Sequence, residues 1–438
     1  MKFLLSLFYL MMSFLLFGQG FNKAKLDSLF NILEKENQAM GSVAISQNGK
    51  IVYQRAIGFI ENQDNTIQKA NENSKYRMGS ISKMFTAVLI FQLIEAKKLK
   101  LETKLSKFFK TIPNSDKITI AHLLQHRSGI FNFTDAEDYA AIAYTPQTQA
   151  KMVELISSYP TDFQPDSKTS YSNSNFVLLG FIIEKIYKKT YAEVLKIQIC
   201  DKIGLKNTYF STGIDTKNNE ANSFAYIENW EKMPPTHSSV CHGAGALAAT
   251  AQDLNIFIES LFACKLVSEK SLKTMQTVRE GLGMGMFSMP FYTQKSWGHN
   301  GSIDGFEANL AYFETEKLAI AYCSNGVNYE FNEVLIGILS IYFDKQYELP
   351  SFKFIELSEE YLQSCEGLYS CKKFPLKISL IRKSKKLFAR AEGQAEFPLT
   401  AIETDVFEFK AANIVIKMKA NKSGFNFKQN GQSFEFEK

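Results

Sequence analysis

The chain has 438 residues, of which 45% are hydrophobic and 22% charged, and its formal net charge is +5. That length exceeds one small domain, and that balance belongs to a folded globular protein with a sizeable core, which argues against disorder. The charge surplus is too small for a nucleic-acid partner; residues 351–438 hold 15 Lys or Arg against 11 Asp or Glu, which reads as a solvated strand surface, with weak attraction to anionic cell-surface polymer as the alternative.

Met1-Lys2 is followed by the apolar run FLLSLFYLMMSFLLFG and then Gln19-Gly20. One basic residue, an apolar stretch and a small-residue exit predict a signal peptide over 1–19, cleaved near Gly18 to Gly20. The run falls short of the roughly 20 residues a spanning helix needs, so no stable membrane anchor is expected after cleavage. The expected location is periplasmic or secreted. From Lys23 to Gln38, Leu26, Leu29, Phe30 and Leu33 have helical spacing. SVAIS and KIVYQRAIGF flank Gln47-Asn48-Gly49, and Asn-Gly between two β-rich runs predicts a hairpin. From Ser80 the sequence SISKMFTAVLIFQLIEAKKLK is apolar on all faces, which predicts a helix buried in a soluble domain. Helical segments and loops alternate over about 100–280. SWGHNGS, GFEANLAYF and LAIAYCSN then predict three sequential antiparallel strands, with Glu314 to Lys317 joining the last two. Asn332 to Tyr342 reads as a helix. Both ends of this region therefore build one sheet around an inserted helical region, a mixed α/β domain over 21–346. Pro350 and the acidic Leu357 to Glu360 mark a linker. Short strands such as LKISLIRK, KLFARAE and IVIKMKA follow, predicting a small all-β domain of sandwich or barrel type over 357–438.

Cys200, Cys241, Cys264, Cys323, Cys365 and Cys371 form no dense disulfide framework. Cys365 and Cys371 are close enough in sequence to bridge; buried free thiols are expected for most. No CxxC or HExxH motif occurs, and the adjacent Cys241-His242 is poor ground for a metal.

Three clusters carry chemistry. Ser80 and Lys83, three apart, share one helix face, and a serine at a helix start sits where backbone N–H groups favour developing negative charge. Serine needs a base to become a nucleophile, and a lysine serves only when neutral, which desolvation promotes. The alternative is an N-capping serine followed by a solvated lysine, but Lys83 leads into an apolar helix. Tyr171 and Asn173 lie on a loop before the apolar NFVLLGFIIEKI, where the tyrosine could pass a proton and the asparagine bind a substrate amide; a tyrosine capping its neighbour is the bland alternative. His299-Asn300-Gly301-Ser302 lies on a predicted strand, where the glycine permits close approach and the strand edge can align an extended substrate.

SxxK, YxN and a basic-x-Gly triplet in that order resemble the signature of penicillin-binding proteins and serine β-lactamases. The stretches KYRMGSISKMFTAVLIFQLIEAKKLKLETKLSKFF, ITIAHLLQHRSGI, YSNSNFVLLGFIIEKI, GAGALAATAQDL and GHNGSIDGFEANLAYF resemble the β-lactamase-related serine hydrolases over about residues 25–345. That family includes class C β-lactamases, DD-carboxypeptidases, D-aminopeptidases and esterases. The resemblance implies a penicillin-binding-protein-like fold, and a small appended β domain from about 357. It implies Ser80 as acylated nucleophile, Lys83 as its base and Tyr171 as proton shuttle, with their division of the base role left open. Asn173 would hydrogen-bond the substrate amide, and the N–H groups of Ser80 and Ser302 would form the oxyanion hole. His299, Asn300 and Gly301 would border the substrate. No metal or organic cofactor is implied, and the expected partner is a small-molecule or peptide substrate, with the cell wall among its sources.

The family's β-lactamases have Lys-Thr-Gly where this chain has His299-Asn300-Gly301. A histidine with the ordinary pKa would be charged below about pH 6.5, so the substitution puts penicillin hydrolysis in doubt and leaves acyl transfer on peptides or esters open. His122 and His126 read as structural, and His237 and His242 receive no role. DD-peptidase-like, esterase and β-lactamase activities remain open, as does, from another class, a non-catalytic ligand-binding or sensor protein retaining the fold.

Overall fold

Asn48 and Gly49 both take left-handed backbone, with φ of 52° and 75°, as a two-residue hairpin turn of the I′ kind demands. The computed structural model describes residues 21–438 except 64, 65, 228, 353, 410, 411 and 430; the expected signal peptide over 1–19 lies outside the described residues. The turn joins β1 (Ala39–Gln47) to β2 (Lys50–Ile57). Helix α1 (Lys23–Lys35) precedes them and buries Leu26, Leu29, Phe30 and Leu33. It stops short of the expected Gln38 because Asn37 turns left-handed, and the Gln38 N–H bonds back to the Leu33 carbonyl.

The buried stretch after Ser80 begins as a 3-10 turn over Gly79–Ile81 and becomes helix α2 (Ser82–Glu95). So Ser80 sits one turn before the α-helix rather than inside it. Residues Met84 to Leu93 of α2 are buried, as an all-apolar surface requires. Further along lie α3 (Asn173–Tyr187), α4 (Ser238–Gly245) and α5 (Ala251–Phe262). Phe85 of α2 stacks on Phe257 of α5 at 3.6 Å between ring centroids, and α5 lies against the sheet.

Four strands return at the far end of the unit: β3 (Phe287–Phe291), β4 (Gln294–Ile303), β5 (Phe306–Phe313) and β6 (Leu318–Val327), then α6 (Phe331–Tyr342). The sheet order is β3-β4-β5-β6-β1-β2. Its central seam is the antiparallel pairing of β1 with β6, from Ala39↔Val327 to Gln47↔Leu318. The two ends of the unit thus share one sheet, as the sequence predicts. Strand β3 is not predicted; its Pro290 cannot donate to a ladder and belongs at an edge, where β3 lies.

The described chain separates into two compact units, dividing at Leu349 and Pro350. The segment expected to be a linker is shared between them. Lys25 Nζ donates to the Tyr347 carbonyl at 2.7 Å within the first unit, and Ile355 N donates to Ala401 O at 2.9 Å within the second. The acidic run is no linker: Ser358 caps helix α7 (Glu359–Ser364) by accepting from Tyr361 N, and Glu359 and Glu360 occupy its first turn, where negative charge suits the helix dipole.

Beyond α7 eight strands form a closed barrel, which decides between sandwich and barrel. They are β7 (Gly367–Cys371), β8 (Phe374–Lys383), β9 (Lys386–Ala391), β10 (Phe397–Glu403), β11 (Val406–Phe409), β12 (Ile414–Met418), β13 (Gly424–Gln429) and β14 (Gln432–Glu437). The last closes on the first through Ser370↔Glu437. Tyr369, Ile378, Leu380, Leu387, Phe407, Ile416, Phe425 and Phe436 fill its interior. All six cysteines are free thiols, including Cys365 and Cys371; Cys264 is exposed. Among the described residues no helix is long and apolar enough to cross a membrane.

Each unit has its own apolar core. Residues 21–349 expressed alone are expected to unfold in one cooperative thermal transition seen by circular dichroism; a fragment that is soluble yet lacks a transition would show that its core depends on the barrel.

Candidate active site

The site begins with two glycines that let a strand touch a turn. Gly79 has φ +51°, and a Cβ there would lie 2.8 Å from Ser302 N. A Cβ on Gly301 would lie 1.9 Å from Met78 O and 3.2 Å from Ser80 N. No larger residue fits either place, so β4 runs directly along the 3-10 turn and brings the backbone around Ser80 and Ser302 together. A buried ion pair fixes the turn that follows: Arg77 Nη1 lies 2.8 Å from Asp304 Oδ2 and donates to Thr236 O at 2.8 Å.

Ser80 Oγ lies 2.9 Å from Lys83 Nζ and 2.8 Å from Tyr171 Oη. Lys83 Nζ also lies 2.7 Å from Asn173 Oδ1 and 2.9 Å from Ala244 O. Lys83 is fully buried, and desolvation pushes its amine well below the ordinary lysine range. A neutral amine has two donors and one lone pair. In that form its N–H groups would satisfy Asn173 Oδ1 and Ala244 O and leave the lone pair for the Ser80 hydroxyl proton; as an ammonium it donates to all three oxygens. Burial pushes the Tyr171 phenol above its ordinary range, with its bond to Ser80 opposing, so Tyr171 stays protonated and donates to Ser80 Oγ.

Asn173 stands at the start of α3. Its N–H donates to Asn132 Oδ1 at 2.9 Å and its Nδ2 donates to Thr134 Oγ1 at 3.1 Å. Its carbonyl end is therefore given to Lys83, and one N–H remains for a substrate.

His126 was not assigned to the site from sequence, yet it lies directly beneath Tyr171. The rings stack at 4.4 Å between centroids. Its Nδ1 accepts from Ser172 N at 3.0 Å and its carbonyl accepts from Ser170 N at 2.9 Å. It thus grips the backbone on both sides of the tyrosine, with its own φ at 56°. Burial, then Lys83 and His299, hold its ring neutral. The remaining histidines outside the site have local roles: His122 completes a capping box with Thr119, and His237 caps α4 by accepting from Ser239 N.

His299 departs from the sequence expectation. It is 2% exposed, its ring packs on Phe287 at 4.1 Å, and its Nδ1 is turned to the Asn300 carbonyl. Burial, with the neighbouring Lys83, lowers its pKa to about 3. A histidine charging near pH 6.5 is therefore not present. Asn300 is exposed and its Oδ1 accepts from Asn309 Nδ2 at 2.6 Å; Ser302 Oγ donates to Glu307 Oε1 at 2.9 Å. Strand alternation turns these two side chains to the face opposite Gly301, so β4 offers Ser80 its backbone rather than its side chains. Ala244 was also missed, because a backbone carbonyl has no side-chain signature.

Size does not mark this place. A concavity of about 540 Å³ lined by Phe109, Val153 and Lys185 includes none of these residues. Among the described residues, no cluster of His, Cys, Asp and Glu could hold a metal.

A family model described as Beta-lactamase matches residues 30–337. A penicillin-binding protein of Bacillus subtilis is 26% identical over 360 residues, 75% of this chain and 78% of that one. A teichoic acid D-alanine hydrolase of Staphylococcus aureus is 28% identical over 231 residues, 52% of this chain and 56% of that protein, so the match spans little more than half of the relative. An octameric penicillin-binding protein homologue from Pyrococcus abyssi has a TM-score of 0.69 at 22% identity, covering 95% of this chain and 100% of that one. A D-amino acid amidase from Ochrobactrum anthropi has a TM-score of 0.64 at 19% identity, covering 74% and 99%. At such identities the solved structures speak for the fold.

Two outcomes follow from this geometry. Gly301→Ala must displace β4 from Met78, so Ser80 reactivity toward a fluorophosphonate probe is expected to fall at least about tenfold, the scale of one misplaced catalytic contact; labelling at the wild-type rate would mean that the strand is not held by this contact. His299 folded is neutral down to about pH 3, while unfolded it binds a proton below about 6.5. Its neutral burial is therefore without cost above about pH 6.5, and stability is lost as pH falls from there toward 3, by about 1.4 kcal/mol per pH unit. Urea midpoints measured from about pH 7 to 4.5 should decline less steeply in His299→Phe; equal slopes would place the lost proton elsewhere.

Proposed function

The chain belongs to the Beta-lactamase family and is a serine hydrolase of peptide, amide or ester bonds, and from that premise we propose that Ser80 is its nucleophile and a D-aminoacyl ester or amide its substrate. The observation that carries the nucleophile is a fully buried Lys83 whose Nζ lies 2.9 Å from Ser80 Oγ.

Ser80 Oγ attacks the substrate carbonyl as its proton passes to Lys83 Nζ. The Ser80 and Ser302 N–H groups stabilise the oxyanion. Tyr171, held protonated by burial, donates to Ser80 Oγ and then hands a proton to the leaving oxygen or nitrogen, taking its replacement from Lys83. Collapse of the intermediate breaks the carbonyl bond to the leaving group and leaves an acyl-Ser80 ester. Water, activated by the same pair in reverse, hydrolyses it and restores Ser80. Lys83 is the base here because its burial favours the neutral amine, whereas burial disfavours a Tyr171 phenolate.

The substrate class is supported by charge. His299, where the resemblance would place a permanent cation, is neutral and buried, and the nearby Arg77 is spent on Asp304. Neither of these two residues offers a free positive charge to a substrate carboxylate, which supports an ester or amide over a carboxylate-bearing β-lactam. The teichoic acid D-alanine hydrolase and the D-amino acid amidase are named for substrates of this kind. An N-terminal apolar run after Lys2 supports export, with action outside the cytoplasm; the 21–346 and 357–438 regions are proposed as hydrolase and accessory domains.

Ser80→Ala is expected to abolish fluorophosphonate labelling and turnover, and persistent labelling elsewhere would remove Ser80 from its role. Lys83→Ala should slow acylation by about 10²–10⁴-fold; a loss below about tenfold would assign the base elsewhere. On a panel of D-alanyl esters, D-amino acid amides and penicillins, kcat/KM should be highest for the first two, and a preference for penicillin would overturn the substrate class.

A further inference from the structure

Lys83 is held on one side by a carbonyl, that of Ala244. Two residues earlier in α4, His242 has φ 31° and ψ −127°, a kink inside the helix. That conformation approximates the first central position of a type II′ turn, where glycine is the default. A larger residue is strained there and persists only where its surroundings over-determine it.

The surroundings are specific. The His242 ring sits among Phe181, Tyr191 and Phe210, with centroids 4.6, 5.3 and 5.5 Å away. Its Nε2 lies 3.4 Å from Glu184 Oε1, the same oxygen that accepts from Tyr191 N at 2.8 Å. Helix α3 makes room for the ring with Gly180, where a Cβ would lie 2.4 Å from His242 Nδ1. The next carbonyl, of Gly243, accepts from Thr86 Oγ1 at 2.6 Å. Ring, carboxylate and hydroxyl together fix the kink immediately before Ala244.

We propose that His242 is a positioning residue: seated against Glu184 and the aromatic socket, it sets the kink that delivers the Ala244 carbonyl to Lys83 and keeps water from the amine. This rests on the assignment of Ser80 and Lys83 above. The titratable groups facing Lys83 are Tyr171, His126, His299 and Cys241, and burial favours the neutral form of each. Hydration of the amine therefore governs its ionisation. Loosening the kink puts water in place of the Ala244 carbonyl; water accepts from the ammonium as the carbonyl did and also relieves its desolvation, so the acid limb of the acylation rate moves to higher pH.

The test uses the full chain, the second-order rate of Ser80 labelling by a fluorophosphonate probe against pH, and p-nitrophenyl acetate turnover. In His242→Ala, which keeps the strain of a Cβ and loses the ring that holds the kink, labelling at neutral pH should slow at least about tenfold and the acid limb rise by about one pH unit, with KM for the ester changed less than about twofold. Glu184→Gln keeps the ring and should shift both in the same direction by less; if the alanine variant fails to fold, this variant decides. Rates within about twofold of wild type, or slowing without movement of the acid limb, would overturn the proposal. Absence of labelling in wild type would overturn the Ser80 assignment and this inference with it, whereas a labelled wild type with unmoved variants overturns this inference alone.

Discussion

The buried amine of Lys83 is the constraint on which the site depends. An ammonium taken out of water is strongly disfavoured, and the chain accepts that burial because α2 is apolar on every side of it. The same burial that packs the helix pushes the amine well below the ordinary lysine range. In the mechanism proposed above, that desolvation is what lets Lys83 serve as the base.

Holding that amine requires backbone where side chains cannot serve. Four of the residues around it have left-handed or strained backbone: Gly79 at φ 51°, His126 at 56°, Asp304 at 57° and His242 at 31°. Each sits where a loop must turn sharply to present something. Gly79 presents Ser80, His126 grips the chain around Tyr171, Asp304 ties the end of β4 to Arg77, and His242 precedes the Ala244 carbonyl. Strain of this sort persists where packing over-determines it, and α2, α3 and α4 pack against one another here.

Much of this was legible in the sequence. Asn48-Gly49 announced its hairpin because only a narrow turn chemistry suits that pair. Ser80, Lys83, Tyr171 and Asn173 were legible because their residue types and spacing carry chemistry, and the structure brings all of them within hydrogen-bond reach. Three things were not. Strand β3 hid because its pairing partner, not its own Pro290-containing sequence, makes it a strand. The acidic run before α7 looked like a linker because capping depends on where the helix begins. The ionisation of His299 was misjudged because a reference pKa says nothing of burial, and His126, rightly read as structural, could not be placed beneath a tyrosine 45 residues away because that stacking is a tertiary fact.

The inventory of charge at the site has a consequence for the reaction. Tyr171, His126 and His299 are held neutral, and Arg77 is matched by Asp304. In the mechanism proposed above, the neutral Lys83 gives two N–H groups to Asn173 Oδ1 and Ala244 O before attack and accepts from Ser80. After attack it is an ammonium with three donors, and the same three oxygens surround it at 2.7 to 2.9 Å. In that mechanism proton transfer reverses one hydrogen bond and requires no rearrangement of the Asn173 and Ala244 oxygens. Such a site meets the charge that develops in the transition state with dipoles already aimed, which is how preorganisation lowers a barrier. It also explains why Asn173 and the Ala244 carbonyl are held so firmly from behind. Their acceptor atoms serve the neutral amine adequately and the ammonium better, so their fixed positions favour the state that follows attack.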